Sequence, residues 1–511
     1  MNKEFMIIDN IPVAINGEKN LLELIRKAGI ELPTFCYYSE LSVYGACRMC
    51  MVENKWGGME AACSTPPRNG MEIYTNTPRL RKYRKMILEL LLSNHCGECT
   101  TCDKNGKCKL QELAARFDIH RVRFDNPKSK PCIDDSSVSI TRDANKCILC
   151  GDCVRVCNEV QNVGAIDFAF RGSKMKVACS FDKPIGDSNC VGCGQCAAVC
   201  PTGAIIIKND SHRLWKELNQ EDTIAVAQVA PAVRVAVAKE FGYNGENVMG
   251  KIVAALRRIG FNYIFDTSTA ADLTVMEESK EFADRLANGG KLPLFTSCCP
   301  AWSVMAKKLF PTLAPYISMA LTPMVLTARM LKKDDPDACI AFIGPCAAKK
   351  LEASRRTIRS DVDFVLTFEE LMGMFNAKGV TFEDITDEEK VDLCEGTGDG
   401  RGFAVSGGVA KAVADVIHKL DPEREVKVVS AQGLKDCRKL LTLAKAGKYD
   451  GYLLEGMACP GGCVAGAGTL QAVEKSTALV NKYVKDAPLQ NSLDSKYEIN
   501  LDLITEPHDD K

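Results

Sequence analysis

Two cysteine runs with the same internal spacing carry the clearest chemistry in this chain: CILCGDCVRVC (Cys147, Cys150, Cys153, Cys157) and CVGCGQCAAVCP (Cys190, Cys193, Cys196, Cys200, then Pro201). Each is C-x2-C-x2-C-x3-C, and the second begins 43 residues after the first. In two-cluster ferredoxins three closely spaced thiolates wrap one cubane and the fourth crosses to the other. The pattern predicts one 4Fe–4S cluster on Cys147, Cys150, Cys153 and Cys200, and a second on Cys190, Cys193, Cys196 and Cys157. A pair of zinc sites is the alternative, but runs this tight leave too little room for two tetrahedral four-thiolate ions.

Two further sets lie upstream. Cys36, Cys47, Cys50 and Cys63 have the spacing x10, x2, x12. One distant thiolate, a C-x2-C pair and a later fourth suit a 2Fe–2S cluster, although plant-type spacing differs. A zinc ribbon would favour two C-x2-C knuckles. The stretch NHCGECTTCDKNGKCKLQ contains His95, Cys99, Cys102 and Cys108, as H-x3-C-x2-C-x5-C. Three thiolates there lack a fourth ligand. His95 is the candidate and adjacent Cys96 the rival; an imidazole in place of a thiolate makes a cluster less negative and raises its potential.

One 2Fe–2S cluster and three accessory 4Fe–4S clusters conduct electrons but perform no reaction. The remaining cysteines of the C-terminal half are Cys298, Cys299, Cys339, Cys346, Cys394, Cys437, Cys459 and Cys463. Three segments place a thiol just after an apolar run, with Pro or Gly beside it: LPLFTSCCPAW, CIAFIGPCAAKK and GYLLEGMACPGGC. Sites in open α/β sheets form at the carboxyl ends of strands. Cys339, Cys394 and Cys437 read instead as inert buried residues. Adjacent Cys298 and Cys299 point to opposite sides of an extended chain, so one metal centre does not readily take both. Upstream, Glu278, Glu281 and Arg285 in TVMEESKEFADRL share one helical face; by spacing alone this is also what an exposed face with a Glu281–Arg285 pair looks like.

The elements that must position these residues change character along the chain. Residues 1–80 alternate short apolar runs (EFMIID, IPVAI) with the helix-like NLLELIRKAGI, a small sheet-and-helix module. Residues 81–125 read as helical, and 126–210 contain the cysteine repeat. Over 211–485 strand candidates (IAVAQVA, VRVAVA, YIFD, CIAFIG, VKVVSA, GYLLEG) alternate with helices, the pattern of parallel α/β units. Residues 486–511 read as a polar, loosely packed tail. The 26 cysteines in a chain of 511 residues argue for metal ligation, since a chain of this length needs no disulfide scaffold. A net charge of −1 gives no reason to expect nucleic acid or an anionic membrane as partner. No apolar run is long enough to span a bilayer, and the N-terminus lacks the pattern of a secretory signal. The expected location is the cytoplasm.

At this level of detail TSCCPAW, GPCAAKK and MACPGGC resemble the three signature motifs of the iron-iron (FeFe) hydrogenases, and the upstream cysteines resemble the accessory domains of the long, ferredoxin-linked members; the resemblance runs over residues 1–475. It implies a multidomain α/β plus α+β protein: a 2Fe–2S ferredoxin-like (β-grasp) domain at 1–80, a His/Cys-ligated 4Fe–4S domain at 81–125, a two-cluster 4Fe–4S ferredoxin domain at 126–210 and a two-lobed α/β catalytic domain at 211–485. It further implies an H-cluster, a 4Fe–4S cubane joined to a two-iron unit carrying CO, cyanide and a bridging azadithiolate. The cubane ligands by motif are Cys299, Cys346, Cys459 and Cys463, with Cys463 bridging. Cys298 becomes a proton carrier, followed by Ser318, Glu278, Glu281 and Arg285. Lys349 matches a lysine that donates to a cyanide. Ala230, Pro231 and the retained Met457 match residues around the two-iron unit.

The chain departs from the familiar pattern at Gly344, where Met is common, at Ala232 in place of a hydroxyl residue, at Met324 in place of a polar one, and in AGAGT after Cys463. The reaction implied is 2 H⁺ + 2 e⁻ ⇌ H₂, with ferredoxin or a similar carrier as electron partner and maturation proteins supplying the two-iron unit. The rivals are a subunit of an NAD-linked or electron-bifurcating complex, whose nicotinamide would bind a partner chain because no G-x-G-x-x-G follows a strand here, and a hydrogen sensor or iron–sulfur assembly factor. Retention of Cys298 argues against the sensory relatives that lack this thiol.

Overall fold

The computed structural model describes residues 4–125, 133–240, 242, 249–355, 360–386, 389–391, 393 and 396–497. The N-terminal strands form a five-stranded mixed sheet in the order Ile11–Ala14, Phe5–Ile8, Glu72–Tyr74, Met51–Asn54, Met59–Ala61. Asn20 opens helix Leu21–Lys27 by accepting the Glu23 N–H, a favoured cap. The helix buries Leu21, Leu22, Leu24 and Ile25 against Met6, Ile8 and Ile73 of the sheet. The loop after it carries Cys36, Cys47 and Cys50, and Cys63 follows the strand Met59–Ala61. Helices Pro78–Ser93 and Lys109–Arg116 come next. Their Leu88, Leu110 and Leu113 join Phe35, Cys36 and Cys47 in a core that also takes in Ile148 and Cys150.

The cysteine repeat is also a structural repeat. Strand Ile140–Arg142 pairs antiparallel with Ile205–Ile207, and Asp167–Ala169 with Lys176–Ala178. Each cysteine run turns through a left-handed glycine, Gly151 at φ 79° and Gly194 at φ 75°, into a short helix, Asp152–Arg155 or Gln195–Ala198. Only glycine adopts this conformation without strain.

The C-terminal half holds two parallel sheets. One has the order Tyr263–Asp266, Ala225–Val229, Cys339–Ile343, Phe364–Leu366; the other Leu294–Phe295, Tyr452–Met457, Lys427–Gln432. Ala225–Val229 and Cys339–Ile343 are buried at every residue, as expected where helices cover both faces of a parallel sheet. VRVAVA was expected as a strand but begins the helix Val233–Glu240. Pro231 ends the preceding strand in a turn, and an apolar run without flanking punctuation does not distinguish buried helix from buried strand. The segment expected as a loose tail is tied down in its first part: Ser492 is fully buried, donates to Asp272 Oδ1 at 2.9 Å, and its N–H reaches Asp399 Oδ2 at 2.9 Å. Residues 498–511 lie outside the described residues, as does Cys394. Among the described residues no helix is long and apolar enough to cross a membrane.

Gly456 sets how closely helix Pro300–Leu309 approaches the strand Tyr452–Met457. A Cβ there would lie 2.2 Å from the ring of fully buried Trp302. Gly456→Ala is expected to destabilise the protein by about 1–3 kcal/mol through overpacking, read as a lowered thermal unfolding midpoint. An unchanged midpoint would show that the helix can move away freely.

Candidate active site

Four of the parallel strands end next to one another and deliver the signature segments. Val229 leads into Ala230 and Pro231, Phe295 into Cys298 and Cys299, Ile343 into Cys346, and Met457 into Cys459 and Cys463. Together they line a cavity of about 930 Å³ whose wall includes Cys298, Cys299, Cys346, Cys459, Cys463, Lys349, Ala230, Pro231 and Met457. The rest of the wall is mainly apolar, with Ala232, Met324 and Phe342 among it. Burial pushes the Cys346 thiol up to about 11 and raises those of Cys298, Cys299, Cys459 and Cys463 as well. Such thiols stay neutral unless a cation draws off the proton. A large, mainly apolar cavity ringed by convergent sulfurs is a fit for a thiolate-held metal cluster.

Lys349 is the cation at this wall. Burial opposes its charge, but the Glu352 carboxylate, 2.6 Å from Nζ, holds it protonated. Glu352 is buried and also accepts from Thr322 Oγ1 at 3.2 Å. Lys349 further donates to the Cys298 carbonyl at 3.4 Å. Two residues before Met457, the strand carboxylate Glu455, fully buried, accepts the N–H groups of Gly407 and Ala410 at 2.7 and 2.8 Å.

A polar chain leads away from Cys298. Glu278, fully buried, accepts the Ser297 N–H at 3.1 Å, and its Oε2 has no partner among the described residues. The Ser318 hydroxyl donates to Glu281 Oε2 at 2.6 Å and lies against Glu278. The Met319 N–H also reaches Glu281 Oε2, at 3.0 Å, and Arg285 pairs with Oε1. The structure thus gathers all four residues expected beyond Cys298. Burial holds the Glu278 proton up to about 8, against the Ser297 N–H, and that of neighbouring Glu277 up to about 7.

Two of the other cysteine sets each line a cavity of their own. Cys147, Cys150, Cys153 and Cys200 line one cavity, of about 480 Å³. Cys157, Cys190, Cys193 and Cys196 line another, of about 380 Å³. Cys193 also lines the large cavity. In the N-terminal loop the thiols of Cys36 and Cys47 touch, as do those of Cys50 and Cys63. Cys99 is pushed up by burial and by Cys108, Cys102 and Cys96 together. His95 accepts the Gly97 N–H at Nδ1, 3.0 Å away, while its buried Nε2 has no partner among the described residues. Cys339 and Cys437 lie in hydrophobic cores, as expected of inert residues.

Sequence reasoning missed Glu352, Glu455 and Phe342. Glu352 stands three residues after Lys349 on a helix, a spacing that marks a pair. Glu455 is an acid inside an otherwise apolar strand, which alone signals a special partner. Phe342 explains Gly344: a Cβ at Gly344 would lie 2.6 Å from the Phe342 ring and 3.3 Å from Ala230 Cβ. The ring takes the space in which a longer residue at 344 would stand.

Comparison with known proteins gives a consistent picture. Residues 223–467 match the family described as iron only hydrogenase large subunit, C-terminal domain. Residues 6–78 match a 2Fe-2S iron-sulfur cluster binding domain, 84–123 the NADH-ubiquinone oxidoreductase-G iron-sulfur binding region, and 146–204 a 4Fe-4S dicluster domain. The chain is 34% identical to the NADP-reducing hydrogenase subunit HndD of Solidesulfovibrio fructosivorans, over 97% of this chain and 94% of that protein. It is 29% identical to Iron hydrogenase 1 of Clostridium pasteurianum, over 95% and 92%. It is 31% identical to the periplasmic Fe hydrogenase large subunit of Nitratidesulfovibrio vulgaris, over 57% and 89%.

Glu278 generates a pH test. Its carboxyl is raised to about 8 in the fold against 4.5 in the open chain. The native state therefore binds more protons over that interval, and stability falls as pH rises through it. Glu278→Gln keeps an acceptor for Ser297 and is expected to flatten this fall, leaving the smaller slope from Glu277. Urea midpoints at pH 5 and pH 8, wild type against variant, measure it; parallel slopes would mean that Glu278 is ionised at neutral pH.

Proposed function

As a member of the iron-only (FeFe) hydrogenase family, to which it belongs, the chain is an oxidoreductase acting on hydrogen, and we propose that it interconverts 2 H⁺ + 2 e⁻ with H₂ through the residues of this one cavity. The observation that carries the reading is the convergence of six thiols and Lys349 on one mainly apolar cavity from which a polar chain departs at Cys298. Cys299, Cys346, Cys459 and Cys463 would hold the H-cluster. When bound, that cluster supplies the metal-centred making and breaking of the H–H bond.

The chain's own residues then do three things. Lys349, kept cationic by Glu352, faces the cavity as a donor to negatively charged cofactor ligands. Cys298 moves protons: a buried, uncoordinated thiol can take up and release a proton without leaving a permanent charge. Glu278, Ser318, Glu281 and Arg285 continue the route outward, with Ser318 against both carboxylates. Electrons would travel through the cysteine sets in the order of their contacts. The Cys36/Cys47/Cys50/Cys63 loop and the His95/Cys99/Cys102/Cys108 loop both adjoin the Cys147 set, which shares one structural repeat with the Cys190 set, and Cys193 borders the large cavity.

A ferredoxin or similar small carrier is the electron partner in this reading, and maturation proteins supply the two-iron unit. Partner subunits are the second reading, favoured by the extensive similarity to a subunit of an NADP-reducing hydrogenase. We place the protein in the cytoplasm, where thiols stay reduced for ligation.

The direct test is composition. After full maturation the protein is expected to hold about 20 irons, with CO and cyanide infrared bands. About 14 irons and no such bands would remove the H-cluster from this reading. A second test separates the adjacent cysteines. Cys298→Ala should keep iron and bands while turnover drops by about 100-fold or more, the scale of a lost proton-transfer group. Cys298→Asp should restore part of the rate, and Cys299→Ala should lose the cluster itself. Near-normal H₂ evolution by Cys298→Ala would mean that protons reach this cavity by another path.

A further inference from the structure

Gln195 stands in the second cysteine run, between Cys193 and Cys196, yet its side chain reaches into the wall of the large cavity. Its Nε2 lies 3.3 Å from the Cys459 sulfur and 3.0 Å from the Ala465 carbonyl. Both neighbours are acceptors, so the amide must present its NH₂ group to them. The approach is built into the backbone. A Cβ on Gly194 would lie 2.6 Å from Ala347 Cβ and 2.9 Å from Ala467 Cβ, so only glycine lets this loop sit against the segments that follow Cys346 and Cys463. Ala465 and Ala467 belong to the AGAGT segment that sets this chain apart.

We propose that Gln195 is a positioning residue of the hydrogen-converting centre: its amide, delivered by the electron-transfer module, hydrogen-bonds the Cys459 sulfur and holds the potential of the cubane bound there upward. An N–H donated to a cluster sulfur stabilises the negative charge gained on reduction, and hydrogen bonds to sulfur are one of the levers that set such potentials. The same contact couples the last accessory centre to the active one, because Cys193, two residues away, lines both cavities. The inference rests on the reading that Cys459 ligates the cubane.

The experiment is a redox titration of the matured full-length protein, followed through the CO and cyanide infrared bands, which respond to the charge on the cubane. Gln195→Leu removes the donor; Gln195→Met, closer in length and more adaptable, serves should the first fail to fold. Both are expected to shift the cubane midpoint to lower potential, with the accessory clusters, followed by EPR, unmoved. An unmoved cubane midpoint beside intact bands would overturn the role of Gln195 and leave the function standing. A shift of every cluster together would also overturn it, as a general loosening. A wild-type protein without CO or cyanide bands after maturation would instead sink the function, and this inference with it.

Discussion

Burying a thiolate is costly unless something positive is buried with it, and the C-terminal half of this protein is organised around that constraint. Six thiols, Cys193 included, stand around one apolar cavity, and burial drives each toward its neutral form. Among the described residues the buried ammonium of Lys349 faces them, and its own charge is held by Glu352. A bound metal reconciles thiolates with such surroundings, because ligation couples loss of the thiol proton to metal binding. The two parallel sheets exist, in this sense, to bring four strand ends to one place: a strand offers a rigid, desolvated base, and the turn after it can point a sulfur inward without exposing backbone to the cavity.

The upstream modules obey the same rule with smaller cavities and less perfect burial. They are joined by side chains that serve two modules at once. Arg155 ends the first cysteine helix, is buried, pairs with Asp152, and donates to the carbonyls of Cys36 and Ser42 in the N-terminal loop. Tyr44 from that loop stacks on Phe168 at 5.8 Å. The His95 loop is fastened by the Cys96 N–H to Asn145 at 3.0 Å and the Lys109 N–H to Pro201 at 3.1 Å. Two separate segments thus converge on the Cys147 set, while Cys193 of the second set borders the large cavity.

Much of this was legible because cysteine spacing encodes geometry directly. A run of x2-x2-x3 can wrap a cluster in only one manner, and the crosswise grouping of Cys157 and Cys200 follows from it. The parallel α/β character was legible from the buried apolar strands, and the polar chain from helical spacing joined to a family pattern. What was not legible depends on packing between distant segments. Val233 begins a helix because of how the turn at Pro231 redirects the chain. Ser492 is buried because Asp272 and Asp399, far upstream, wait for it. Gln195 and Cys459 are 264 residues apart, and no local pattern joins them.

Phe342 and Gly344 carry a consequence for descent. The two positions share one volume, so neither can change freely while the other stays. A lineage that enlarged residue 344 first would force the ring into its neighbours; one that shrank residue 342 first would open a void in the cavity wall. Each single step passes through a less stable protein, and the arrangement is therefore held in place by epistasis as well as by use. Related chains should carry either a small residue at 344 with an aromatic two places before it, or a long residue at 344 with a small one there, and the mixed pairings should be rare.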